Sequence, residues 1–242
     1  SKQVFFPDGL TDNENVNSKK PLRIGIVEDH SLFLELMSNA LAQVPDIEIV
    51  ATADNVTEAK KWFEPEKLDV VILDIELPDG NGVGLGITLR RRNDKLGIVL
   101  LSDRDMLELI LGLPQDVRAG WSYLTKSATK SIDSLASAIR STARGETVID
   151  PTLIDRSQAR PGTGIASLTN RQFEVIRSVA RGDSNQTIAN DLGIAVNSVG
   201  NHLIAIYDAL GIPEGKHARV AAVLEFLQDT TRPSTFSRVT GD

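Results

Sequence analysis

At 242 residues the chain is long enough for two domains, since one core seldom grows past about 250 residues and about 100–150 is commoner. Hydrophobic residues at 41% beside 24% charged residues exclude a disordered chain, and the absence of cysteine excludes disulfides and thiolate chemistry and favours the cytoplasm. No apolar run approaches the ~18 residues that span a bilayer, and a net charge of −7 leaves only a local patch for nucleic acid.

Residues 1–20 are polar and rich in Asn and Asp, and are expected as a disordered leader with no export signal. From Pro21 the pattern changes. "LRIGIV" reads as a strand, "SLFLELMSNALAQV" as a helix, "IEIVATA" as a strand and "VTEAKKWF" as a helix. "LDVVILD" is a near-continuous apolar strand, and "GVGLGITLRRR" a helix loosened by glycine. "LGIVLLS" and "WSYLT" are further strands, separated by the apolar helix "DMLELILGL", which Gly112 and Pro114 cut short. "SIDSLASAIRSTARG" is a helix with Ile132, Leu135, Ala136 and Ile139 on one face. Five strand-helix repeats, with strands apolar on both faces, predict a five-stranded parallel, doubly wound (flavodoxin-like) α/β domain over residues 21–146.

Pro151, Pro161, Gly162 and Gly164 mark residues 147–166 as a linker. Residues 167–229 then read as an all-α domain of four helices, with Gly182, Gly193 and Gly211 as C-terminal stops. Thr169 and Gln172 form the spacing of a capping box. Residues 230–242 are expected as a loose tail.

In such a sheet the reactive groups gather beyond the carboxyl ends of the strands. The first strand ends in Glu28 and Asp29, the third in Asp74, the fourth in Ser102, and Lys126 follows the fifth. Three carboxylates at one rim repel unless a cation sits among them, and an oxygen-only set suits Mg²⁺. A lysine and a hydroxyl facing the same spot suit a phosphoryl group, with Asp74 as a carboxylate nucleophile that becomes an acyl phosphate. The alternative for each acid is a helix cap or a solvated loop end.

With these motifs in order, the domain resembles the receiver domain of bacterial two-component response regulators. The resemblance implies that a histidine kinase transfers a phosphoryl group to Asp74. It implies Mg²⁺ held by Asp29, Asp74 and the backbone carbonyl of Glu76, with Glu28 helping. Ser102 stands as the switch hydroxyl and Tyr123 as an aromatic whose rotamer follows it. The added charge of the phosphoryl group would draw Ser102 and Lys126 to its oxygens, pull the loop after the fourth strand inward and vacate space for Tyr123. Glu76 and Arg104, each two residues past a key position, are candidates to control water attack on the acyl phosphate. The apolar "MLELILGL" is expected as core, or otherwise as a dimer surface.

"SNQTIANDLGIAVNSVGNHL" has the pattern of a helix-turn-helix, with Ile188, Ala189 and Leu192 inward, Gly193 at the turn, and Val199, Leu203 and Ile206 burying the next helix. Together with the α/β domain this resembles the NarL/FixJ class of response regulators, whose output domain is of the LuxR type. That implies promoter DNA as partner and a homodimer when phosphorylated. Asn197, Ser198, Asn201 and His202 can reach base edges or phosphates, and Arg171, Lys216 and Arg219 can grip the backbone. The chain departs from the class by having no Lys or Arg between Val196 and Leu210. Residues 163–228 carry five basic and six acidic side chains, so DNA binding by this domain alone is expected to be weak. A rival reading is a regulator that signals through protein contacts of its helical domain. A third, a Mg²⁺-dependent phosphotransfer enzyme on small molecules, would use Glu76 as general acid and lacks an evident substrate cap.

Overall fold

The computed structural model describes residues 20–114, 116–127, 131–215 and 217–231. Residues 1–19 of the expected leader, and the tail beyond residue 231, lie outside them.

The α/β half runs β1 (Leu22–Val27), α1 (Ser31–Leu41), β2 (Ile47–Ala53), α2 (Val56–Trp62), β3 (Val70–Asp74), β4 (Glu76–Leu77), β5 (Gly80–Asn81), α3 (Gly82–Arg92), β6 (Gly97–Ser102), α4 (Glu108–Leu111), β7 (Trp121–Thr125) and α5 (Ile132–Ala143). The five long strands form one parallel sheet in the order β2-β1-β3-β6-β7. β3, β6 and β7 are buried along their whole length, as strands covered by helices on both faces must be. β2 is an edge strand and alternates between buried and more exposed positions.

The turn Leu77-Pro78-Asp79-Gly80 closes a small antiparallel hairpin of β4 and β5. Asp79 in that turn accepts from the Val56 and Thr57 amides at 2.7 and 2.8 Å, and so fixes the start of α2. Gly82 then opens α3 against the carbonyl of Asp74, where an added Cβ would stand 2.0 Å from that oxygen. Any side chain at 82 would displace the strand end that presents Asp74.

α4 is a single turn, shorter than the nine-residue apolar helix the sequence suggests. Leu107, Ile110 and Leu113 around it are buried, and α4 meets the helical domain, which covers an otherwise apolar surface. That contact accounts for the apolar residues on nearly every side of the segment.

The segment expected as a linker carries regular structure. Residues 148–150 run along β7 as a sixth parallel edge: Tyr123 donates to the Val148 carbonyl and receives the Asp150 amide, each at 2.8 Å. Asp150 is fully buried, accepts from the Thr125 amide at 2.8 Å, and caps the short helix α6 (Pro151–Ile154) through the Thr152 amide. β8 (Gln158–Ala159) pairs with β9 (Thr230–Thr231), so the first tail residues return to the linker.

The helical half holds α7 (Asn170–Ala180), α8 (Asn185–Leu192), α9 (Val196–Ala209) and α10 (Ala218–Asp229). The capping box of Thr169 and Gln172 is complete in both directions. Gly182, Gly193 and Gly211 take φ of 85°, 64° and 66°, the left-handed region that ends helices. Ile188, Ala189, Val199, Leu203 and Ile206 are buried in the core, with Leu192 and Ile194 packed against it. α8 and α9 meet in the helix-turn-helix arrangement that this pattern of apolar residues requires.

Candidate phosphoacceptor site and nucleic-acid interface

The parallel sheet delivers the ends of β1, β3, β6 and β7 to one rim, and the chemistry-bearing side chains meet there. Asp74 is 5% exposed. Its Oδ1 accepts from the Glu76 amide at 3.1 Å, and its Oδ2 lies 2.9 Å from Lys126 Nζ. The same ammonium lies 2.9 Å from Glu28, which is fully buried and also receives the His30 amide at 3.0 Å. One cation thus bridges the acids at the ends of β1 and β3.

Burial lifts the Glu28 carboxyl above the ordinary carboxylate range, and the Lys126 hydrogen bond opposes that lift only in part. Burial works to lower the Lys126 ammonium, but hydrogen bonds to Asp74 and Glu28 outweigh it, and the net shift is upward. The lysine is therefore held as a cation where a phosphoryl oxygen would need one.

Glu28 Oε2 has this ion-pair contact but no directed hydrogen bond of its own. It is grouped with Asp29 and His30, whose ligand atoms lie within 4.8 Å of one another, and both of these side chains are exposed. A buried carboxylate oxygen with spare acceptor capacity beside an exposed carboxylate fits a hard divalent cation. Asp74 falls outside that tight group. His30 was not singled out in the sequence; its position directly after the acidic pair is the only signal that could have found it.

Ser102 is buried, and its Oγ accepts from the Arg104 amide at 3.2 Å. Tyr123 is fully buried, donates its hydroxyl to the Arg104 carbonyl and accepts from the Met106 amide at 2.8 Å. The ring fills the core there and the hydroxyl finds both a donor and an acceptor on the loop. Burial raises the phenol above its ordinary pKa. Glu76 and Arg104 form an exposed ion pair at 2.5 Å across the mouth of the site.

On α9, Asn197 and Asn201 are exposed, and Ser198 and His202 are half-buried. Ala195 stands at the N-cap of α9 with no side-chain hydrogen bond. Arg171 pairs with Glu174 at 3.0 Å. Arg219 donates to the Asp183 carbonyl at 2.6 Å and to Asn185 Oδ1 at 3.1 Å, so its guanidinium holds the start of α8. Lys216 lies outside the described residues. Of these three basic side chains, the two among the described residues are thus engaged within the helical domain.

Residues 24–140 match the family described as "Response regulator receiver domain", and residues 166–222 match "Bacterial regulatory proteins, luxR family". A glycerol metabolism activator of Pseudomonas putida is 30% identical over 216 residues, covering 84% of this chain and 93% of that protein. The transcriptional regulatory protein DegU of Brevibacillus brevis is 27% identical over 232 residues, covering 87% and 96%. The crystal structure of the response regulator ChrA of a heme-sensing two-component system aligns at a TM-score of 0.45 with 23% identity, over 87% of this chain and 98% of that one.

Proposed function

The chain belongs to the NarL/FixJ class of two-component response regulators, and from that premise we propose that Asp74 is the carboxylate that takes the phosphoryl group. A receiver of this class is phosphorylated by a cognate histidine kinase, and its LuxR-type helix-turn-helix domain binds DNA to regulate transcription. It acts as a phosphotransfer and autophosphatase site, not as an enzyme on a separate substrate.

One observation carries the choice of Asp74: a buried carboxylate at the end of the central strand, bonded to a lysine that also holds Glu28. In the transfer, an Asp74 oxygen forms the new bond to phosphorus while the bond to the donor breaks. Lys126 moves from balancing two acids to pairing with a phosphoryl oxygen, and the Glu76 amide keeps the carboxylate oriented. Glu28, Asp29, Asp74 and the Glu76 carbonyl would hold Mg²⁺, which when bound supplies positive charge for the phosphoryl oxygens. Ser102 and Tyr123 both bond the loop at Arg104, so a hydroxyl that turns to the phosphoryl group releases one restraint on that loop.

Glu76 and Arg104 stand at the mouth, where a hydrolytic water must enter. Arg104→Ala should change the lifetime of the phosphorylated form while shifting stability by less than about 1 kcal/mol, because the pair is exposed. An unchanged lifetime would remove Arg104 from the hydrolysis step.

Asn197, Ser198, Asn201 and His202 face DNA in this reading, with Arg171, Arg219 and Lys216 toward the phosphates. The phosphorylated chain pairs as a homodimer, which offsets the weakness of one helix lacking Lys and Arg. Its place is the cytoplasm, in keeping with a cysteine-free chain. Among the described residues, no helix is long and apolar enough to cross a membrane. The engaged guanidinium of Arg219 also suits the rival, a regulator acting through protein contacts. Gel shifts across a range of salt separate the two. Retention that rises with acetyl phosphate and Mg²⁺ in wild type, and not in Asp74→Asn, supports the DNA reading. No retention on any duplex supports the rival.

A further inference from the structure

We propose that α9 selects A·T-rich duplex in the major groove, with Ile204 against a thymine methyl group and Asn197 and Asn201 against adenine edges. The inference rests on the DNA-binding reading above and adds the class of base sequence that the helix prefers.

At about 100° per residue, Asn197, Asn201 and Ile204 fall within one narrow stripe of the helix, roughly opposite the buried Val199, Leu203 and Ile206. Ile204, on that stripe, is 48% exposed. It is one of the six large hydrophobic side chains left exposed among the described residues, so the chain's own fold does not cover this face. No hydrogen bond of the Asn197 or Asn201 side chain appears among the described residues, which leaves both amides available.

The chemistry of the face is selective by what it lacks. Guanine offers O6 and N7, which Arg or Lys reads best, and no Lys or Arg lies between Val196 and Leu210. Cytosine offers an N4 donor to a carboxylate. The one carboxylate on α9, Asp208, is about three turns from Asn197, beyond the part that reaches base edges. An Asn amide matches adenine N6 and N7, and an exposed aliphatic side chain matches the methyl that only thymine carries.

Gly200 adds an independent sign. It lies inside the helix, where glycine is a poor choice, yet an added Cβ there would meet nothing within 4 Å. The fold does not need the glycine. Its missing side chain flanks the stripe and lets the helix backbone approach the floor of the groove.

The test uses the full chain treated with acetyl phosphate and Mg²⁺, selected against random duplexes and then titrated by fluorescence anisotropy. Enrichment of A·T-rich half-sites is expected. Replacing a contacted thymine by uracil, which lacks the methyl, should weaken binding about fourfold, and Ile204→Ala should bind both duplexes alike. Gly200→Ala should raise Tm and still lower affinity. Enrichment of G·C-rich sites, equal binding to thymine and uracil duplexes by wild type, or unchanged affinity in Gly200→Ala would overturn the proposal. Loss of all duplex binding, by contrast, would remove the DNA-binding reading itself and this inference with it.

Discussion

Lys126 is 2.9 Å from both Glu28 and Asp74, and its side chain is only 12% exposed, so one ammonium balances two buried acids. Removing it leaves both uncompensated at a rim that Asp29 already makes acidic. Lys126→Ala should lose about 3 kcal/mol in urea unfolding, with part recovered on adding Mg²⁺. A loss below about 0.5 kcal/mol would mean that water already balances the acids. Asp74, Glu28 and Lys126 were legible in the chain because each closes or follows an apolar run where a charge needs a purpose. Asp150 was not legible. It has the sequence of a cap before Pro151, and its second role, holding the Thr125 amide, depends on a partner 25 residues away. Asp79 was hidden for the same reason, since α2, which it holds, lies more than 20 residues back in the chain.

At the scale of the elements, α9 carries two local faults that its packing tolerates. Ala195 gives the helix no capping oxygen, and Gly200 loosens its interior. Ala195→Ser should stabilise the helical domain by about 1 kcal/mol, read as a rise in the urea midpoint with an unchanged slope. No rise would mean that the N-terminal amides of α9 are already satisfied. The helices of this half were easy to read because glycine stops, a capping box and apolar spacing agree with one another. α4 was harder. An apolar run of nine residues looks like a long helix, but its residues are apolar because they meet a second domain. Periodicity within one segment carries no sign of a surface that arrives from elsewhere in the chain.

Across the whole molecule the two halves are joined by structure that composition concealed. The Ile149 amide donates to the Ala180 carbonyl at 2.9 Å, and Arg181 pairs with Asp155 at 2.9 Å. Gly182, at a φ of 85°, lies so close to Val148 that an added Cβ would stand 2.7 Å from its Cγ2. Gly182→Ala should therefore cost about 2 kcal/mol, combining left-handed strain with overlap at the contact. Urea unfolding measures this, and a neutral result would show that the halves separate freely in solution. Proline and glycine made residues 147–166 look like a plain connector, because pairing of main-chain amides along β7 leaves no mark on side-chain composition. That pairing gives the central chemistry a route outward: Tyr123 and Thr125, flanking the strand end beside Lys126, are both bonded to residues 148–150. The most direct check is intact-mass spectrometry of wild type and Asp74→Asn after acetyl phosphate and Mg²⁺. Wild type should gain the mass of one phosphoryl group and the variant none. No gain in wild type, or a gain that persists in the variant, would contradict the assignment of Asp74.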